Sequence, residues 1–536
     1  MKKIRIESIL ENIIIIFLII QPIFDLKIFY NSISTLIRTV IIIVFFLIYF
    51  IKSNNKRKYL LLIYPAILGI YAIFHHINAM NFTSLVPGDF NYSLVKELLY
   101  FVKMIVPILL IYVLFKSKIT NSKIDKIIQL IVFIMGFSII ITNLLGMSYG
   151  SYSDEIIKAN FIKWFNNSEN YTYKDLASKG LFEYGNQVSA VLLMFLPFII
   201  NKSIKKKNWK NFAILLINVF SLILLSTRVA VIGIMLVFAY TIIIILYMKN
   251  RKNLKNIKIK NFTGSIIVVI IYISILPINP MFNRIYEMNN QYDEIIQVDS
   301  QNIVDDESNE VEEDGVYNKN NNNENNSIIE NVETKKVLEQ NDYSKKEEQI
   351  KYIQENYKRK NIHEQFILRS YPYQYDTEFW KIILNLDIYT RTNYRYIEKQ
   401  MVKRVIEINN NKYDKIFGIT HTRVQNIFNI EQDFIEQYYA LGILGSIIIF
   451  LPYFLLITIY VYKVIKSKFK LCSIDNLLSI ITIFMIFGIA YNSGNLLNSL
   501  SFTIYFAILY YKLYNVQKDE GGENVYKEYL FKFKKI

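Results

Sequence analysis

Apolar residues are grouped into twelve long blocks separated by polar segments. The blocks span residues 9–24, 34–51, 60–78, 98–115, 127–147, 185–201, 210–226, 229–248, 263–282, 437–463, 473–491 and 497–514. They have no polar stripe of the kind that a surface helix of a soluble protein carries. A bilayer core of about 30 Å requires about 20 such residues per helix. The pattern therefore predicts an all-α polytopic membrane protein with about twelve transmembrane helices.

Composition supports a membrane protein and excludes several other classes. Apolar residues make up 53% of the chain, which a soluble domain rarely reaches. The net charge of +16 comes from Lys and Arg residues that lie between the blocks, so nucleic acid is not an expected partner. Cys472 is the single cysteine and the four histidines fit no zinc spacing, so no disulfide and no metal site are expected.

The cationic residues also predict the topology. If the first block is an uncleaved helix with its N-terminus in the cytoplasm, five loops rich in Lys fall on the cytoplasmic side, at 52–58, 116–126, 202–210, 249–260 and 463–470. The short connections on the other side, around Tyr30, Asp89 and Asn492, contain few cations. Insertion selects this asymmetry. We therefore expect both termini in the cytoplasm.

Five regions follow from this pattern. They are a membrane domain at 1–282 with helices one to nine, a disordered segment at 283–350, a folded outer loop at 351–432, helices ten to twelve at 433–514, and a basic cytoplasmic tail at 515–536. The disordered segment is rich in Asn and acidic residues and cannot bury enough apolar surface to fold. A large outer loop thus precedes the tenth helix.

Residues 391–407 of the outer loop predict an amphipathic helix. Ile397, Met401 and Val405 form its apolar side, and the opposite side carries the cations Arg391, Arg395, Lys399 and Lys403. This cationic row is either a solvated face or part of an anion site. Arg404 lies near the apolar side, where its guanidinium must reach water or meet a buried anion.

A second candidate anion site is the Ser226-Thr227-Arg228 sequence between two apolar blocks. It could be a tight turn with an interfacial Arg. Outer turns otherwise contain few cations, and a guanidinium binds phosphate with two hydrogen bonds. Arg228 is therefore a candidate ligand for an anionic group at the outer membrane surface.

A cluster of carboxylates marks the start of the tenth block. Glu431, Asp433 and Glu436 lie within six residues, and Gly442 and Gly445 follow in the next helix. Close helix packing explains the glycines. Carboxylates at a membrane entry require water, a cation or a substrate, so this cluster is the second half of the predicted site.

These motifs together resemble the O-antigen ligase and O-antigen polymerase superfamily of bacterial membrane glycosyltransferases. Gln432, nine further residues, Gly442 and Gly445 match the spacing of the motif that follows the large outer loop in that family, with Glu431 where the ligases place His. The chain resembles the Gram-positive branch, in which an acidic pair stands at this point. Lys415-Ile416-Phe417-Gly418-Ile419, the Arg228 turn and Gly185-Asn186-Gln187 resemble further motifs of the family, in the same order.

The resemblance implies a metal-independent enzyme without cofactor in the bacterial plasma membrane. Its substrates would be a glycan on undecaprenyl diphosphate and an acceptor glycan or lipid, and its partners other membrane proteins of polysaccharide assembly. Arg228 would act with Arg391, Arg395 or Arg404 on the diphosphate, with Gln432 and Glu436 also at the substrate. Glu431 or Asp433 would be the base, with His421 as a substitute. The product would be a capsule or wall polysaccharide.

Two other functions fit parts of the pattern. A flippase for lipid-linked oligosaccharides predicts two similar halves and broken helices at the membrane midplane, which the sequence does not display. A non-catalytic membrane scaffold would tolerate replacement of Arg228 and Glu431. The sequence contains no phosphate-binding glycine loop, which argues against an ATP-driven pump.

Overall fold

The computed structural model describes residues 2–29, 32–53, 59, 61–117, 119–166, 170–251, 258–287, 289–290, 345–469 and 472–514. The longer helices are α1 (Lys2–Ile19), α2 (Ser32–Lys52), α3 (Ile63–Met80), α4 (Leu94–Lys116), α5 (Asn121–Leu144), α6 (Gly185–Lys205), α7 (Trp209–Leu225), α8 (Arg228–Arg251), α9 (Thr263–Ile275), α10 (Thr377–Leu384), α11 (Tyr394–Asn409), α12 (His421–Ile427), α13 (Asp433–Lys466), α14 (Ile474–Ser493) and α15 (Leu500–Tyr514). The protein is an all-α polytopic membrane protein, as predicted. Its one sheet among the described residues pairs the short antiparallel strands Tyr149–Gly150 and Ser178–Gly180.

Each of the twelve apolar blocks contains one long helix. Nine of these helices, within the described residues, are long and apolar enough to cross a membrane, and they belong to α2 to α6, α8, α9, α13 and α14. The other three blocks form Lys2–Ile19, Trp209–Leu225 and Leu500–Tyr514. Twelve crossings stay a prediction, because the last two of these helices have 17 and 15 residues.

Two helices form the centre of the membrane domain. Almost every residue of α6 is buried, and every residue of α15 is buried. A membrane helix that is covered on all sides by protein need not be apolar throughout, so these two helices carry polar side chains that organise their neighbours. Polar residues at the start of α6 contact the candidate site described below.

A buried ion pair fixes α2 against α15. Arg38 donates to Asp25 over 2.8 Å and to the hydroxyl of Ser501 over 2.8 Å, and Tyr505 donates to the other Asp25 oxygen over 2.6 Å. Both charges are almost completely buried. Removal of either partner would leave the other charge buried and uncompensated, so the pair links the two helices firmly.

Residues 345–432 fold into a compact cap on one membrane face, called the loop face below. It contains a helix at 345–356, a π-helix (Gln365–Ser370), α10, α11 and α12, with short helices at Ile388–Arg391 and Asp414–Phe417. Most of the predicted disordered segment, 291–344, and the predicted basic tail, 515–536, lie outside the described residues. In α11, Ile397, Met401 and Val405 are buried, and Arg395 on the other side is exposed.

The cap is joined to the membrane domain by a break in α13. Gly442 has a φ of +64°, which interrupts the helical hydrogen bonds of α13. The freed carbonyls of Tyr439 and Ala440 accept hydrogen bonds from the backbone N–H groups of Ile419 and Thr420, both over 2.9 Å. The cap therefore reaches the membrane helices through main-chain bonds, which fix its position.

Candidate functional site

The Ser226-Thr227-Arg228 turn joins α7 to α8 at the loop face. Ser226 adopts the left-handed conformation at the end of α7, and the Thr227 hydroxyl accepts from the N–H of Ala230 in the first turn of α8. Arg228 is the first residue of α8 and its side chain is exposed. A helix N-terminus carries partial positive charge, so the guanidinium and the helix end both favour an anion here.

A second arginine lies beside this turn. Arg284, in the helix at 280–287, stacks over the ring of Tyr152 at 4.2 Å and that of Tyr173 at 5.4 Å. Tyr173 also donates to the carbonyl of Ser226 over 3.3 Å, and burial raises the pKa of its hydroxyl. The charges of Arg284 and Arg228 both act on Tyr173, so positive charge is concentrated around this tyrosine beside the turn.

The cap brings Arg395 and Glu431 together, two residues that the sequence predicts for the site. A guanidinium nitrogen of Arg395 lies 3.3 Å from a carboxylate oxygen of Glu431, and both side chains are about half exposed. An exposed pair of this kind contributes little to stability. Both groups are accessible to a ligand at the loop face.

A third carboxyl group lies behind this pair. Glu398, one turn after Arg395 on α11, is only 4% exposed, and its Oε2 atom has no hydrogen-bond partner among the described residues. Burial, together with the negative charge of Glu431, raises the pKa of Glu398 to about 8. Glu398 is therefore protonated at neutral pH and adds no negative charge beside Glu431.

Asp433 and Gln432 shape the start of α13. The buried carboxylate of Asp433 accepts from the N–H groups of Leu496 over 3.0 Å and Leu497 over 2.8 Å. Gln432 donates from its side chain to the carbonyl of Tyr491 over 3.3 Å. These bonds use the carboxylate of Asp433 to fix the α14–α15 connection, whereas the carboxylate of Glu431 is about half exposed.

Contacts through α6 connect the Arg228 turn to the Glu431 pair. The Gln187 side chain donates to the carbonyl of Asn495 over 2.8 Å, and the Ser189 hydroxyl lies 3.0 Å from that of Thr227. On the other side of the same connection, the backbone of Gly494 packs against that of Glu431 so closely that a Cβ atom would not fit. The start of α6 therefore bridges both halves of the predicted site on one membrane face.

Glu436 lies one turn into α13, is fully buried, and approaches the partly buried His421 of α12. One Glu436 oxygen lies 3.3 Å from His421 Nδ1 and accepts from Gln425 over 2.6 Å, and the other accepts from Asn498 over 2.7 Å. The imidazole stacks on the ring of Tyr100, with the ring centres 3.7 Å apart. The His421 Nδ1 atom lies within ion-pair distance of Glu436 but makes no hydrogen bond of good geometry among the described residues. The contact therefore places an imidazole beside a buried carboxylate near the start of α13.

Glu97 of α4 fixes the position of His421 through backbone hydrogen bonds. Its buried carboxylate accepts from the N–H groups of His421 over 2.9 Å and Thr422 over 3.2 Å, at the start of α12, and lies 3.1 Å from His75 Nε2. A carboxylate at a helix N-terminus satisfies N–H groups that have no partner within the helix. The membrane helices thereby hold α12 in position.

His421 opens onto a cavity of about 500 Å³ between α2, α4 and α12. Ten polar residues line it: Ser32, Thr35 and Thr39 from α2, Lys96, Tyr100 and Lys103 from α4, and His421, Thr422, Gln425 and Asn426 from α12. Lys103, an isolated cation within the apolar block 98–115, could have indicated this cavity but is not among the residues predicted from the sequence. The pairing of His421 with Glu436 had no such signal, because it depends on how the cap returns to the membrane.

The glycines of the motif are explained by close contacts. A Cβ atom on Gly442 would overlap the backbone of Ile416 and Phe417, and one on Gly418 would overlap the backbone of Ala440 and Leu441. Gly445 faces the ring of Tyr71 on α3. Gly445 therefore packs against a helix, whereas Gly442 packs against the main chain of the cap.

Arg391 and Arg404 bond within the cap. Arg391 is 5% exposed and donates to the carbonyls of Lys360 over 3.0 Å and Leu386 over 3.2 Å. Arg404 donates to both oxygens of buried Asp376, over 2.7 Å and 3.2 Å. Arg404 thus meets a buried anion, one of its two predicted environments. Arg395 is the cation of α11 that contacts the carboxylate cluster.

The fold and this arrangement define a class of protein. It is a multi-pass helical membrane protein with a folded cap and a cluster of Arg, His and carboxylate side chains where the cap meets the membrane helices. The chain belongs to the family of O-antigen ligase like membrane proteins, whose model matches residues 7–518. That family indicates glycosyl transfer or ligation in a membrane. Comparison with curated proteins and with solved structures gives no match.

Proposed function

We propose that this protein transfers a glycan from undecaprenyl diphosphate to an acceptor hydroxyl at the outer face of a bacterial plasma membrane. It would thereby polymerise or ligate a capsule or wall polysaccharide. The proposal is carried by one observation: in a chain that matches the family over residues 7–518, the cap pairs Arg395 with Glu431 on the same membrane face as the Arg228 turn. The loop face would then be the outer face.

The cations of the site fit a diphosphate leaving group. Arg228, at the N-terminus of α8, and Arg395 provide two guanidinium groups, and Arg284 adds a third beside Tyr173. Guanidinium groups bind phosphate oxygens with paired hydrogen bonds and stabilise the charge that develops when the bond to the sugar breaks. Arg395 would exchange its contact with Glu431 for the diphosphate, which would release the carboxylate for chemistry.

The reaction requires one proton acceptor. Glu431 would remove the proton of the acceptor hydroxyl while that oxygen bonds to the anomeric carbon. The bond from the anomeric carbon to the phosphate oxygen would break, and its electron pair would leave with undecaprenyl diphosphate. A positioned general base contributes about 10²–10⁴-fold to such a step. Asp433 accepts hydrogen bonds from backbone N–H groups and would position the segment that carries Glu431.

The test uses cells whose surface polysaccharide depends on this gene. Arg228→Ala and Glu431→Gln should each abolish or strongly shorten the polysaccharide and cause lipid-linked repeat units to accumulate on the outer leaflet. Lys399→Ala, on the same helix as Arg395, is the control and should leave polysaccharide length unchanged. If both site variants reach the membrane at wild-type levels and produce normal polysaccharide, the proposed function is wrong.

A further inference from the structure

The cavity between α2, α4 and α12 combines cationic side chains with an apolar rim, and the proposed reaction site does not account for this combination. It lies on the membrane side of α12, and its lining contains Lys96, Lys103 and His421 but no carboxylate. Among the described residues Lys103 forms no salt bridge within 4 Å, and the carboxylates of Glu436 and Asp433 attract its charge from farther away. A lysine within a membrane helix is costly unless it faces water or an anion.

The depth of Lys103 places this charge inside the bilayer. Lys96 is near the start of α4 at the loop face, and Lys103 follows seven residues later on the same helix. At 1.5 Å per residue, Lys103 lies about 10 Å farther from that face than Lys96. Two cations therefore mark the upper and lower ends of one wall of the cavity.

The opposite wall offers hydroxyl groups. Ser32, Thr35 and Thr39 recur along one side of α2, and all three line the cavity. Gln425 and Asn426 add amide groups from α12. The interior is thus suited to a ligand with an anionic, hydrogen-bonding head.

The rim of the cavity is apolar and faces lipid. Ile33 and Leu36 of α2 are 63% and 56% exposed, and Leu99 of α4 is 57% exposed. In a membrane helix such exposed side chains contact acyl chains. The cavity therefore opens sideways into the leaflet next to the loop face, so that a hydrocarbon chain can stay in the bilayer while its head group enters.

We propose that this cavity is a second lipid site, which binds the diphosphate head of a polyprenyl-linked acceptor glycan through Lys103. The inference rests on the proposed function, in which Arg228 and Arg395 bind the donor. Gln425, which lines the cavity, donates a hydrogen bond to Glu436 over 2.6 Å. Glu436 lies in the first turn of α13, directly after Glu431 and Gln432, so the two sites are neighbours. A protein with two such sites joins one lipid-linked glycan to another, which is polymerisation.

The test counts undecaprenyl diphosphate molecules bound to the delipidated, detergent-purified full chain by native mass spectrometry. Wild type should bind two, and Lys103→Met should bind one, with at least a tenfold loss of affinity for the other. Lys103→Arg, which keeps the charge, should bind two. Lys116→Met, at the opposite end of α4, is the matched control and should also bind two. Leu36→Trp, which fills the rim without removing a charge, should bind one.

The two hypotheses fail separately in this experiment. If Lys103→Met and Leu36→Trp both retain two lipids, or if phosphatidylglycerol at equal concentration displaces the lipid that depends on Lys103, the second site is refuted. Arg228→Ala should lose the other lipid. If Arg228→Ala retains two lipids while Lys103→Met loses one, the proposed donor site is wrong and the second site stands.

Discussion

At the scale of single residues, the site depends on which charged groups already have a partner inside the protein. Asp433, Arg391 and Arg404 have theirs in buried hydrogen bonds, whereas Glu431 and Arg395 meet in an exposed pair that a ligand can displace. The sequence predicts that all of these residues carry charge near the loop face. It cannot predict which of them are hydrogen-bonded inside the protein, because that depends on carbonyl and N–H groups from distant segments.

Glu398 predicts a specific dependence of stability on pH. Its pKa is raised from the ordinary 4.5 to about 8, so between these values the folded protein holds a proton that the unfolded chain releases. The free energy of unfolding should therefore fall as pH rises through this range, by at most about 1.4 kcal/mol per unit. Melting temperatures in detergent from pH 5.5 to 8.5 should fall more steeply for wild type than for Glu398→Gln. Parallel curves would show that Glu398 does not titrate as described.

Arg404 offers a second test at this scale. Among the described residues, its removal leaves the buried carboxylate of Asp376 with the hydroxyl of Tyr371 and the N–H of Phe379 as its remaining donors. Because Arg404 is itself partly exposed, we expect Arg404→Ala to destabilise the cap by about 2 kcal/mol. Limited proteolysis should then cut residues 345–432 faster than in wild type. Lys403→Ala, at the neighbouring exposed position, should not change the rate, and equal rates for both variants would refute the role of the ion pair.

At the scale of helices, the prediction from sequence is accurate where the bilayer dictates the pattern. All twelve apolar blocks contain a helix, since a chain in lipid must satisfy its backbone internally. The break in α13 is different. The apolar pattern continues through Gly442, whereas the positive φ occurs where the backbone of the cap packs closely against this glycine.

Gly442→Ala tests this contact between cap and membrane helix. The added methyl group would meet the main chain of Ile416 and Phe417 in a conformation that already favours glycine. We expect a large loss of folded protein, measured as the monodisperse yield in detergent and a lower melting temperature. The control is Gly488→Ala in α14, where a Cβ atom would meet nothing within 4 Å. If the two variants are equally stable, the backbone contact is not important.

At the scale of the whole molecule, the site is assembled from parts that are far apart in sequence. Arg228 begins α8, Glu431 precedes α13, and the N-terminal turn of α6 connects them. The sequence predicts both halves and their shared membrane face through the alternation of Lys-rich loops. It does not predict the pairing of His421 with Glu436 or the cavity, because both form only when the cap packs against α4.

Cysteine labelling tests the predicted orientation. In a Cys472→Ser background, a cysteine placed at exposed Lys358 in the cap should react with a membrane-impermeant maleimide in intact cells. A cysteine at exposed Lys207, on the opposite face, should react only after the cells are opened. The reverse result would place the cap in the cytoplasm and exclude transfer outside it.

The central claim is that Glu431 acts as the base at a diphosphate site formed with Arg395. The most direct measurement is the initial rate of glycan transfer from undecaprenyl diphosphate by the purified protein in liposomes, for wild type and Glu431→Gln. The account predicts a fall of at least about 100-fold for Glu431→Gln, with an unchanged melting temperature. A rate within about threefold of wild type would contradict it.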